Sequence, residues 1–136
     1  MIVVFDTNVV VEAIFWPRST ARRALTGLAL RRFKTAVSQE VLDEYAAVTA
    51  NLRARLFAQA QPSGALAWLA AKSVRVEPLP LPGKLSRAPD DNVFVASAAA
   101  VRAAFLVTQD RDLLVLDKPF GIRIATPVEL IRELRL

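Results

Sequence analysis

Apolar and polar positions follow one another along the chain in blocks that read alternately as strand and helix. Ile2 to Phe5 is a continuous apolar run ending in Asp6-Thr7-Asn8, the pattern of a buried strand followed by a turn. Apolar residues continue around Glu12 from Val9 to Phe15, which predicts a short helix stopped by Trp16-Pro17. Ser19 or Thr20 is placed to cap a second helix running to about Arg32, and Phe33 to Val37 reads as the next strand. Ser38 caps a third helix with Val41, Leu42, Tyr45, Ala46 and Val48 at helical spacing. Two more helical stretches, Arg53 to Gln61 and Ser63 to Lys72, are divided by Pro62.

Val74 to Val76 is a weak strand. Four prolines between Pro78 and Pro89, with Gly83 among them, forbid regular structure and predict one long loop. Asp90 and Asp91 can cap an Ala-rich helix from Asn92 to Ala104, after which Phe105 to Thr108 is a strand. Gln109-Asp110-Arg111-Asp112 opens a helical turn through Leu116, and Ile122 to Ala125 is the last strand. Thr126-Pro127-Val128-Glu129 matches a capping box with proline at the first helical position, so a helix runs from there to the end. Strands alternating with helices predict a three-layer α/β/α sandwich on a central parallel sheet of about five strands. With no internal repeat and no dividing linker, residues 1–136 form a single domain.

Composition narrows the chemistry. The 136 residues are 54% hydrophobic with a mean hydropathy of +0.33, enough for a core without disulfides or structural metal. The chain has no Cys and no His, which removes Cys/His zinc sites, thiol nucleophiles, the Ser-His-Asp triad and histidine acid/base chemistry. No signal-peptide pattern opens the chain and no run approaches a membrane span, so a cytoplasmic protein with no membrane partner is expected. The net charge is +5, carried by 14 Arg and 4 Lys. That bias suits forked recognition of phosphate or carboxylate, and equally a solvated surface.

In open parallel sheets, sites form beyond the carboxyl ends of the strands. Asp6 falls there after the first strand, and Asp110 two residues after the strand ending at Thr108. Asp91 begins the Ala-rich helix and Glu44 lies within the helix after the second strand. Each acid alone suits a turn, a cap or a solvated helix face. Gathered at one edge they would repel one another, so that either their pKa values rise or a cation sits between them. Without His or Cys that cation is hard and oxygen-liganded, Mg²⁺ or Mn²⁺, and the chemistry it supports is metal-assisted phosphodiester hydrolysis. A basic chain around an acidic pocket fits a nucleic acid substrate.

Four segments together resemble the motifs of a known family. They are Asp6-Thr7-Asn8; Ser38 to Tyr45; Pro89-Asp90-Asp91-Asn92-Val93-Phe94; and Val107 to Leu114. In this order and at domain-wide spacing they are similar to the motifs of PIN-domain ribonucleases. The closer likeness is to the VapC-like branch of toxin components of toxin-antitoxin systems. The resemblance implies a Mg²⁺- or Mn²⁺-dependent endoribonuclease acting on RNA, with Asp6, Glu44, Asp91 and Asp110 as catalytic metal ligands and Asp112 as a fifth acid. Asp90 is able to exchange roles with Asp91. Thr7, Asn8 and Thr108 would orient carboxylates or water. The resemblance also implies a cognate antitoxin protein and a homodimer.

Arg18, Arg22 and Arg23 cluster near the first loop and are candidates for RNA phosphate contact. Phe15, Trp16 and Trp68 suit base stacking or packing. Two other readings stand beside the nuclease. One is a non-catalytic module of the same fold that binds RNA or protein. The other is a receiver or phosphatase-like domain, which is disfavoured because Asp6 has no adjacent acid and position 8 is Asn.

Overall fold

The structure, a computed structural model, describes residues 1–57, 59, 61–78 and 92–136. Five strands form one sheet: β1 (Ile2–Phe5), β2 (Lys34–Val37), β3 (Ser73–Arg75), β4 (Phe105–Val107) and β5 (Arg123–Ala125). Their spatial order is β3-β2-β1-β4-β5 and every pairing is parallel. Parallel neighbours need crossovers, and the helices supply them: α1 (Thr7–Phe15), α2 (Thr20–Ala29), α3 (Gln39–Arg55), α4 (Pro62–Lys72), α5 (Asn92–Ala100), α6 (Arg111–Leu114) and α7 (Pro127–Leu134). The result is the expected α/β/α sandwich with β1 at its centre.

The core follows from that topology. Val3, Val4 and Phe5 of the central strand are at most 1% exposed, as strands covered on both faces require. Small residues in α5, among them Ala96 and Ala98, let that helix lie close on β1, β2 and β4. Phe5 packs on Phe33 with ring centroids 5.8 Å apart.

Helix starts agree with the sequence where a hydroxyl is available. Ser19 accepts from Arg22 N–H, Ser38 from Val41 N–H and Thr126 from Glu129 N–H, each closing the first turn of its helix. Other boundaries differ from expectation. Helix α1 begins at Thr7, not Val9, because Asp6 itself caps it. Helix α3 is one unbroken element to Arg55, since nothing between Gln39 and Leu56 interrupts it, so Arg53 to Arg55, expected to open a separate helix to Gln61, belong to α3. Pro62 then starts α4 at the position that tolerates its missing N–H. Helix α5 stops at Ala100 because Ala104 already pairs with β1, its N–H donating to the Ile2 carbonyl at 2.8 Å. The Pro-rich loop expected up to Pro89, beyond Pro78, and the acids Asp90 and Asp91 lie outside the described residues.

Helices α2 and α5 end with an arginine in the left-handed region. Arg31 (φ 58°) is followed by an Arg32 N–H to Gly27 carbonyl bond of 2.8 Å, and Arg102 (φ 52°) by an Ala103 N–H to Ala98 carbonyl bond of 2.9 Å. These are Schellman closures built without the usual glycine. Replacing Arg31 or Arg102 by Gly removes the Cβ conflict, partly offset by the added freedom of the unfolded chain. Each change is expected to stabilise the fold by about 0.5 kcal/mol. Gly27→Ala should do the opposite. Its Cβ would meet Phe33 Cε2 at 2.4 Å, so a loss of about 1–3 kcal/mol is expected. Thermal denaturation of the three variants checks both signs.

Candidate active site

Strand order reverses beside β1: the chain runs outward through β2 and β3, then returns to lay β4 and β5 on the other side. The two connections leaving β1 and β4 diverge there and open a crevice. The register pairs Phe5 with Val107, so the next residues, Asp6 and Thr108, emerge side by side at the carboxyl edge. Asp6 N–H still bonds the Val107 carbonyl at 2.9 Å, and Thr108 N–H the Ala125 carbonyl at 2.9 Å.

Asp6 is 4% exposed. Its Oδ1 accepts the Thr7 backbone N–H at 2.7 Å, while Oδ2 accepts the Thr108 hydroxyl at 2.6 Å and the Asn8 amide at 3.2 Å. Burial raises the Asp6 pKa above the usual carboxylate range. The bonds from Thr108 and Thr7 oppose that shift, and the charges of Glu44 and Asp110 add to it.

The other two acids are held through the same residues. The Thr108 hydroxyl accepts the Asp110 N–H at 2.9 Å, and Asp110 caps α6 by accepting the Asp112 N–H at 2.9 Å. Thr7 donates its hydroxyl to Glu44, joining α1 to α3. Beside Glu44, the buried Tyr45 donates its hydroxyl to the Phe5 carbonyl, so α3 is fastened at the end of β1, one residue before Asp6. The Tyr45 ring stacks on Phe94 of α5, with centroids 6.4 Å apart. Burial pushes its phenol pKa well above the usual value, with Asp6 and Glu44 adding to the shift, so Tyr45 acts as a neutral donor.

The three acids Asp6, Glu44 and Asp110 line a cleft of about 1120 Å³ between α1 and α3. Asp6, Thr7, Asn8, Glu44 and Asp110 stand at its sheet end. Arg18 lines it as well, whereas Arg22 and Arg23 do not: Arg22 donates to the Ala13 carbonyl and Arg23 to the Leu136 carbonyl. Asp112 is half-buried and does not line the cleft; its recorded contact with Asp110 is through its backbone N–H. Sequence reasoning passed over Glu12, Gln109 and Tyr45. Gln109 donates its side-chain amide to Glu12 and its backbone N–H to Asn8 Oδ1 at 3.3 Å, fixing one wall of the cleft. Glu12 sits one turn beyond Asn8, a spacing that marks the shared face. Tyr45 reads in sequence as one more apolar position.

The acidic side chains of the cleft offer only oxygen, a donor set that suits a hard cation such as Mg²⁺ or Mn²⁺. Asp6 uses three of the roughly four acceptor positions of a carboxylate, leaving room for a ligand bond. Among the described residues, no three acidic side chains stand close enough to share one ion.

Two outcomes are expected from this geometry. Tyr45→Phe leaves the Phe5 carbonyl without its partner and should cost about 1–3 kcal/mol, read by denaturant unfolding. The raised pKa of Asp6 means that its contribution to stability is fully present below the ordinary Asp value and is lost as pH rises through the folded value. The stability of Asp6→Asn relative to the parent chain should therefore improve between acid and neutral pH in metal-free buffer. A constant difference across that range would contradict the assignment.

Residues 2–112 match the PIN domain family. The fold also matches a chain from the crystal structure of VapBC2 from Rickettsia felis bound to a DNA fragment from their promoter. The TM-score is 0.60 over 93% of this chain and 98% of that one, at 18% sequence identity. No curated protein matches the sequence. The family match runs from β1 to Asp112 and takes in Asp6, Glu44, Asp110 and the strands that carry Asp6 and Asp110. On that match, which spans most of its length, the chain belongs to the PIN domain family.

Proposed function

We propose that this protein is a Mg²⁺- or Mn²⁺-dependent endoribonuclease and the toxin of a toxin-antitoxin pair. The observation that carries the reading is the buried Asp6 carboxylate facing the same cleft as Glu44 and Asp110, with each of the three fixed by a threonine. Asp6, Glu44 and Asp110 would have to draw together around the ion, since no three acids among the described residues stand close enough to share one without it, and Asp91, which directly precedes α5 in the chain, would complete the set. Bound there, a divalent ion supplies a water of lowered pKa and neutralises charge developing on the phosphoryl group.

The remaining work falls to the chain's own residues. Thr108 keeps Asp6 and the backbone of Asp110 in fixed relation, and Thr7 does the same for Asp6 and Glu44. Asn8 is held by Gln109 and directs its amide at Asp6, which orients that carboxylate. Arg18 is the cleft's own cation and would take a backbone phosphate. With no His or Cys in the chain, nucleophile activation rests on carboxylates and the ion.

No helix among the described residues is long and apolar enough to cross a membrane. The proposed activity, on RNA with an antitoxin partner, would belong in the cytoplasm. The matched structure holds VapBC2 on promoter DNA. By likeness to it, the partner of this chain would be an antitoxin; the motif resemblance adds that the antitoxin would hold the nuclease inactive and that the nuclease would be homodimeric.

Cleavage of a mixed RNA pool tests the reading. Products should appear with Mn²⁺ or Mg²⁺, vanish with EDTA, and fall to the EDTA background in Asp6→Asn or Asp110→Asn. Thr108→Val keeps every acid and should lower cleavage by about 10–100-fold, the usual effect of removing a group that orients a metal ligand. RNA binding without cleavage under all these conditions would favour a non-catalytic module.

A further inference from the structure

The cleft is two different surfaces joined end to end. Its walls are stripes spaced by one helical turn: Asn8, Glu12 and Trp16 along α1 and its cap, and Glu44, Val48 and Leu52 along α3. Both stripes start polar at the sheet, and both end apolar, on Trp16 and Leu52, about 12 Å farther along the helix axis. An ion site explains the first end and leaves the second without a role.

Trp16 is the group at that second end with a ligand-facing surface. Its ring has aromatic neighbours, Phe57 at 5.2 Å and nearly perpendicular, and Phe15 at 6.4 Å, yet the residue remains 47% exposed and lines the cleft. Its backbone is firmly set. Trp16 N–H bonds the Glu12 carbonyl at 2.9 Å, the Trp16 carbonyl accepts Ser19 N–H at 3.0 Å, and Pro17 restricts the residue before it. Two residues on, Arg18 lines the same cleft, and among the described residues its guanidinium has no hydrogen bond or ion pair. A flat π surface and an unengaged guanidinium in the same cleft as Asp6, Glu44 and Asp110 suit a ligand with an aromatic ring and a phosphate in one repeat.

We infer that Trp16 and Arg18 form a nucleotide subsite, in which Trp16 stacks an unpaired base and Arg18 takes the adjoining phosphate of a single-stranded RNA whose next linkage lies at Asp6. The inference rests on the nuclease reading for the identity of the strand and adds its recognition. Stacking needs an unpaired base, so the subsite selects single strands and loops over duplex, with little dependence on which base is stacked.

The test uses the full chain with Trp68→Phe, which leaves Trp16 as its sole tryptophan, in EDTA so that no strand is cut. A short single-stranded oligoribonucleotide should quench Trp16 fluorescence and bind about ten-fold more tightly than an abasic ribose-phosphate oligomer of equal length. Trp16→Ala should erase that difference, and Trp16→Phe should keep most of it, which separates stacking from damage to the fold. Equal affinity for the two oligomers overturns the subsite. So does a Trp16→Ala chain that binds RNA unchanged and loses only a protein partner. Cleavage in Mg²⁺ is measured separately on the intact chain. Quenching that needs a base to be present, without cleavage, supports the subsite while ending the nuclease reading, and cleavage indifferent to Trp16 and to the abasic substitution overturns the subsite alone.

Discussion

Asp6 carries its carboxylate where little water reaches it, and an ionised carboxylate in such a place is costly unless the protein surrounds it with donors. The donors come from both sides of the strand-order reversal: the Thr7 N–H and Asn8 amide from the chain leaving β1, and the Thr108 hydroxyl from the chain leaving β4. Meeting this requirement sets the relation of β1 to β4. A slip of one residue in the Phe5 to Val107 pairing would carry Thr108 away from Asp6 and turn its side chain to the other face.

The same constraint reaches the helices. Asp6 caps α1, so the direction of that helix is tied to the carboxylate. Helix α3 is tied to it twice, through Thr7 to Glu44 and through Tyr45 to the carbonyl that precedes Asp6. Phe94 of α5 then packs on Tyr45. Burial and like charge raise the Asp6 pKa while the threonine bonds lower it, so the site holds a carboxylate under opposed influences. An added cation would resolve them, which is the physical content of the metal proposed for this site.

Much of this was legible in sequence because it rests on local rules. Apolar runs bounded by turn residues marked all five strands, and hydroxyl caps marked the starts of α2, α3 and α7. The placement of Asp6 and Asp110 followed from the rule that parallel sheets open at their carboxyl edge. What escaped depends on contacts between distant residues. Tyr45 has the spacing of a core residue and shows its role only once its hydroxyl is seen on Phe5. Gln109 and Glu12, 97 positions apart, meet only in the fold. The three arginines look alike in sequence, yet tertiary contacts tie Arg22 and Arg23 to backbone carbonyls and leave Arg18 in the cleft. Arginines in the left-handed closures of α2 and α5 stand where sequence rules look for glycine, so neither helix end carries the usual sequence signal.

The central claim is that Asp6 is a buried carboxylate whose raised pKa is released by a divalent ion. Carbon-detected NMR titration of the Asp6 side-chain carboxyl, with and without Mg²⁺, tests it most directly. The account predicts an apparent pKa above the ordinary Asp range in metal-free buffer and a fall when Mg²⁺ is added, with Thr108→Val raising the metal-free value further. An Asp6 that titrates at the ordinary value and ignores Mg²⁺ would contradict it.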